Sequence, residues 1–166
     1  MEGVLFSDKT VEFSKVALEY CYLIEHVKEQ EDAVFIDKIS KILPLLYLKV
    51  LLIPNMEEYY ESELEIGVTE EKYAYVADGI ANLLGDKDVF LETFHPDMQY
   101  SDTPIAVTIS ENLADIYQDL GNFIAVFQLG NIETMNDALF VCLQNFKDYW
   151  GQKLVNVLRA VHYLRN

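Results

Sequence analysis

TISENLADIYQDLGNFIAVFQLG, residues 108–130, opens as a helix should. Thr108 followed by Glu111 fits a capping box, and Ser110 is an alternative cap. Leu113, Ile116, Tyr117, Leu120, Ile124 and Phe127 then trace one apolar stripe at helical spacing. Glu111, Asp115 and Asp119 recur every four residues, which sets three carboxylates along one side of the helix. On a helical wheel Glu111, Asp115, Gln118 and Asn122 point away from the stripe, and Asp119 lies nearer its border. The expectation is a solvated acidic face, with Glu111 serving the cap. Asp119 is the acid best placed to approach another helix. Beyond Gly121 the segment is apolar nearly all round, so its second half should be deeply buried, and Gly130 ends it.

The flanking segments follow the same pattern. Residues 9–29 carry a stripe of Phe13, Val16, Tyr20, Leu23, Ile24 and Val27. A second stripe, Val11, Leu18 and Tyr22, lies nearly opposite. A helix with two apolar faces is sandwiched inside a domain or lies at a contact with another chain. Residues 33–53 form a second helix that Pro44 should kink or break. This second segment, which holds the apolar run ILPLLYLKVLLI at 42–53, reads as the most buried one. NMEEYYESELEIG, residues 55–67, has no useful apolar stripe and reads as a solvated acidic loop. A third helix starts after the N-cap Thr69, buries Tyr73, Val76, Ile80, Leu83 and Leu84, and stops at Gly85. Residues 86–107 are the hardest to read, with VFLETF a candidate short helix and two X-Pro turns after it. The last helix runs from about Thr134 to Leu164, its stripe keeping phase across Gly151, and spans roughly 45 Å. The reading is an all-α, single-domain irregular bundle over residues 1–166, with about five main helices and a long C-terminal one.

The chain has 166 residues, enough for one domain with a core, and 51% are apolar, too many for disorder. Its net charge of −16 opposes binding to nucleic acid or to anionic lipid. The apolar run at 42–53 is too short to span a membrane, which needs about 20 residues. The N-terminus lacks the pattern of a signal peptide. Cys21 and Cys142 read as buried thiols in a reducing compartment, and a cytoplasmic location is expected.

Chemistry-bearing patterns are few. Glu92 and His95 form one Glu-x-x-His element, whereas a helical di-iron site needs two such elements and two further Glu. The chain has 3 His, and neither His26 nor His162 completes such a set. No nucleophile elbow and no Gly-rich phosphate loop occurs. Neither a cofactor nor a metal is expected. The 11 Tyr and 9 Phe invite an interface reading. Its candidate surface is Val11, Leu18, Tyr22, Tyr59 and Tyr60. Asp119, Glu92 and His95 are the weaker candidates for a polar site.

TISENLADIYQDL, ETMNDALF and FKDYWGQKLVNVLRAVH, with LPLLYLKVLLIP and TEEKYAYVADGIANLLG, resemble the uncharacterised domain-of-unknown-function family 5063 of Bacteroides-type bacteria. The resemblance covers about Val11 to His162. It implies a compact helical domain in a bacterial cytoplasm, with no substrate, cofactor or catalytic residue to carry over. The functional expectation is a non-catalytic interaction or adaptor domain, whose partner is another protein or a second copy of itself. Two alternatives stand beside it. One is an enzyme or metal-binding protein with a dispersed carboxylate site. The other is an acidic mimic that occupies a basic partner surface.

Overall fold

The computed structural model describes residues 2–92 and 103–165. Its helices are α1 (Glu2–Leu5), α2 (Asp8–Glu25), α3 (Asp32–Leu51), α4 (Glu70–Leu84), α5 (Ile109–Phe127), α6 (Ile132–Asn145) and α7 (Gly151–Leu164). Two short antiparallel strands, β1 (Val89–Glu92) and β2 (Ile105–Thr108), pair from Val89↔Thr108 to Glu92↔Ile105. The protein is thus the mostly helical bundle its periodicities predict. The short helix expected at VFLETF is not formed by its described residues. Val89 and Leu91 are exposed while Glu92 is buried, the two-residue alternation of a strand.

Helix α5 is the centre of the bundle and packs against α2, α4, α6 and α7. Leu113, Ile116, Tyr117 and Leu120 are buried, as the stripe predicts. The opposite side is not the solvated acidic face expected of it. Asp115 and Asn122 are half-buried, because α4, α7 and the segment before α4 cover that side too. Amphipathic spacing marks the more apolar face of a helix; it does not say whether the polar face stays open to water.

The predicted caps are in place. The Thr69 hydroxyl accepts the Lys72 N–H, and the Thr108 hydroxyl accepts the Glu111 N–H. Gly85 closes α4 at φ +56°, where a side chain would be strained. Helix α3 runs through Pro44 without the possible break. Pro44 lies on the exposed side, and the buried Leu43, Leu46 and Val50 on either side of it hold the helix on the core. Nor is α3 the most buried segment. Leu45, Leu48, Leu51 and Leu52 are all at least 42% exposed.

Helices α6 and α7 form the expected single long run, joined by one π-helical turn, Phe146–Trp150. The wide turn brings the Phe146 carbonyl close to Gly151, where an added Cβ would lie 2.5 Å from that oxygen. Trp150 is fully buried, and its indole N–H donates to the Cys142 carbonyl at 2.9 Å.

The acidic segment, residues 54–68, has no regular structure but is not a free loop. Side chains of the bundle bind its backbone. Asn136 donates to the Glu58 carbonyl at 3.0 Å. The fully buried Asp137 carboxylate accepts the N–H groups of Tyr60 and Ser62, each at 2.8 Å. Asn122 of α5 accepts those of Gly67 and Val68 at 2.9 and 2.8 Å. These bonds let an irregular strap lie against helices without leaving buried N–H groups unpaired. Contact is close enough that a Cβ on Gly121 would overlap Val68, and one on Gly67 would overlap Ala125. Gly121→Val should therefore lower stability by roughly 1–3 kcal/mol, the range for an overpacked site, as read from urea denaturation.

Burial alone would raise the Asp137 carboxyl, but hydrogen bonds from Ser62 and Tyr60 outweigh it and hold it below the ordinary carboxylate range. A depressed folded pKa stabilises the fold above the unfolded value, and that contribution is lost as the pH falls through the folded value. Asp137→Asn should be less stable than the wild type at neutral pH, by roughly 1–3 kcal/mol. The gap should close as both proteins are titrated into acid.

Candidate functional site

The second stripe of α2 faces outward. Val11, Leu18 and Tyr22 are exposed, Tyr22 at 63%, and the Tyr22 ring stacks on His26 with centroids 3.9 Å apart. Alongside, α3 turns Leu45, Leu48 and Leu52 to the surface. The two helices pack together, and Lys49 of α3 pairs with Glu12 of α2 at 3.0 Å. Between them lies a groove of about 620 Å³. Val16, Leu23, Ile42 and Leu45 line it, with Tyr22, Lys15, Lys38 and Lys41 among the other lining residues. The sequence reading missed the α3 half of this surface. Its signal was a run apolar on every side, which periodicity alone assigns to the core.

Tyr59 and Tyr60 lie elsewhere, on the strap. Tyr59 stacks on Phe140 of α6 with centroids 4.9 Å apart, and the Tyr60 hydroxyl donates to Glu58 at 3.2 Å. The structure does not bring them together with Val11, Leu18 and Tyr22.

The three acids of α5 go to three environments. Glu111 is exposed at the cap. Asp115 is held between α4 and α7, accepting the Tyr73 hydroxyl at 2.6 Å and pairing with Lys153 at 2.9 Å. Burial pushes Tyr73 well up, and its bond to Asp115 adds to the shift. Lys153 is raised, since the Asp115 contact outweighs the burial that would lower it. An open recess of about 720 Å³ lies beside Tyr73 and Asp115, but their functional groups already bond each other.

Asp119 does approach another helix, accepting the Asn145 amide N–H of α6 at 2.8 Å. It borders a recess of about 160 Å³ between α5, α6 and the strap, with Cys142 also in the lining. That is smaller than the roughly 300 Å³ of a small ligand pocket. Burial raises the Asp119 carboxyl against the lowering effect of Asn145, with the Asp115 charge adding to the rise. Cys142 and Cys21 are buried thiols whose burial pushes their pKa values up, away from a reactive thiolate.

Glu92 is buried in β1 and accepts the Asn156 amide N–H of α7. His95, its expected companion, lies outside the described residues. Among the described residues, no group of three or more His, Cys, Asp or Glu is placed to hold a metal ion. No described helix is long and apolar enough to cross a membrane.

The model of the Domain of unknown function (DUF5063) family matches residues 4–166. The chain belongs to this family. It is similar to a solved structure, protein BF1032 from Bacteroides fragilis, with 42% identity and a TM-score of 0.87. The match covers 98% of this chain and 96% of that one. No curated protein matches the chain. The family and the solved relative support the fold and bring no activity, so the function of this DUF5063 domain rests on its own surface and sites.

Asp119 gives a direct test of the polar recess. Its pKa is raised on folding, so the ionised form carries a penalty. That penalty is absent below the unfolded pKa, grows as the pH rises through the folded pKa, and is complete above it. Asp119→Asn keeps an oxygen to accept the Asn145 bond. It should be more stable than the wild type at neutral pH and equal to it at about pH 3. Thermal unfolding across that range reads the difference.

Proposed function

We propose that this protein is a non-catalytic interaction domain of the bacterial cytoplasm, and that it docks a protein partner on the α2–α3 face. The supporting observation is the concentration of exposed large apolar side chains there. Val11, Leu18 and Tyr22 lie along one helix and Leu45, Leu48 and Leu52 along its neighbour. Tyr22 and Leu45 also line the groove between the helices. Single exposed apolar residues are ordinary, but a cluster of them beside an apolar groove is the form of an interaction site. Tyr59 and Tyr60 serve this reading less well, since their contacts hold the strap on α6.

The chemistry of the interior supports the same reading. Asp115 is committed to an ion pair, Asp119 to a small recess, and Glu92 to an amide. A general acid or base needs a shifted pKa and also open space for a substrate beside it. Asp119 has the shift and lacks the space.

A tagged chain recovered from its own cells should bring down a stoichiometric partner. Leu18→Glu with Tyr22→Glu should lose that partner with helix content unchanged, because both side chains are exposed. Retention of the partner by the double variant would move the docking site off this face. A preparation containing only the chain would remove the basis of the proposal.

A further inference from the structure

The α2–α3 groove has a charge opposite to that of the protein. The chain has 12 basic and 28 acidic residues, yet Lys15, Lys38 and Lys41 line this groove with Glu19 as the acid among its lining. Lys41 is bonded to Asp37 at 2.8 Å, but Asp37 is shared with Arg165 at 2.7 Å, so one carboxylate serves two cations. A local cationic surplus therefore borders an apolar floor of Val16, Leu23 and Ile42.

The face also has a definite length. The groove lining runs from Lys15 to Leu23 on α2, a rise of roughly 12 Å, and from Lys38 to Leu45 on α3, roughly 10 Å. That is about two turns of a further helix laid in the groove between them, with the exposed Val11, Leu18 and Leu48 outside the lining itself. An amphipathic helix seated in a groove offers its apolar side at i, i+3, i+4 and i+7 and leaves its flanks to the rim.

Resting on the interaction reading above, we propose that the groove binds an acidic amphipathic helix of a partner protein. Its apolar stripe covers Val16, Leu23, Ile42 and Leu45, and its flanking carboxylates meet Lys15, Lys38 and Lys41. A second copy of this chain fits less well. Two-fold pairing of the face sets three lysines against three lysines, with Glu19 as the one opposing charge in the groove. An anionic membrane fits less well too, because the site is concave and the rest of the chain is repelled by negative lipid.

The test is a displayed library of helical peptides, 14 to 18 residues long. Leucine is fixed at the stripe positions, and Glu, Gln and Lys are drawn at random on the flanks. Selection on the full chain should enrich Glu on both flanks. The selected peptides should bind at least ten-fold more weakly to the Lys15→Glu, Lys38→Glu, Lys41→Glu variant, and more weakly to the wild type as salt rises. These lysines are exposed, so the variant should fold, and the salt series is independent of it. Three results would overturn the proposal. Peptides without charge preference, or rich in Lys, that lose binding with Leu18→Glu and Tyr22→Glu would leave the interaction face and remove the acidic partner. No enrichment over a proline-broken library would remove both. Co-sedimentation of the chain with phosphatidylserine vesicles, abolished by the lysine reversals, would reassign the cationic rim to lipid.

Discussion

The central helix α5 has little surface left for water, and the rest of the structure follows from how its polar groups are met. A buried polar group without a partner costs about as much as several exposed contacts can return. Each neighbour of α5 therefore brings a counter-group as well as apolar area. Helix α2 supplies the Tyr20 hydroxyl to the Leu113 carbonyl at 2.7 Å. Helix α4 supplies Tyr73 to Asp115, α7 supplies Lys153 to the same carboxylate, and α6 supplies Asn145 to Asp119. The turn before β1 supplies Asp88, whose buried carboxylate accepts both the N–H and the hydroxyl of Ser110 at the start of α5. These pairs set the register in which the helices lie, where apolar packing alone tolerates sliding.

The same constraint shows which parts of the fold were legible in the sequence. Helix caps are local chemistry, so Thr69, Gly85 and Thr108 could be read directly. Stripes are local too, and they located the buried faces of α2, α4 and α5. Partners are not local. Nothing near Asp137 in sequence indicates that it caps the N–H groups of Tyr60 and Ser62, more than seventy residues earlier. Gly121 and Asn122 read as an ordinary step in a helix, yet they form the seat on which Gly67 and Val68 rest. The acidic strap looked solvated because its side chains are polar. What anchors it is its backbone, which composition does not describe.

Helix α3 was misread for a related reason. Its run at 42–53 is apolar on all sides, and an all-apolar helix in a small domain is ordinarily enclosed. Here one side is enclosed by the core and the other is open. Leu43, Leu46 and Val50 are inside, while Leu45, Leu48 and Leu52 are outside. The excess of apolar character over what the fold buries is the part of the sequence that the fold itself does not use. The matching excess on α2, Val11, Leu18 and Tyr22, lies on the neighbouring helix. Two neighbouring helices thus expose apolar residues side by side, the observation on which the docking proposal rests.

That exposure has a cost in solution, since an apolar face of this kind invites copies of the protein to adhere. The net charge of −16 opposes it. Copies approaching one another meet long-range repulsion before their apolar ridges touch. The repulsion does not apply equally to every partner at every orientation. Around the groove, Lys15, Lys38 and Lys41 outnumber Glu19 among the lining residues, and at physiological salt their influence reaches about 8 Å. On the proposal above, an acidic chain arriving elsewhere is turned away, while one presenting an acidic helix to the groove finds attraction at short range. Net acidity and a cationic groove are therefore not in conflict. On the same proposal, the two together would oppose self-association while leaving one short stretch of surface open to a ligand of the right shape and charge.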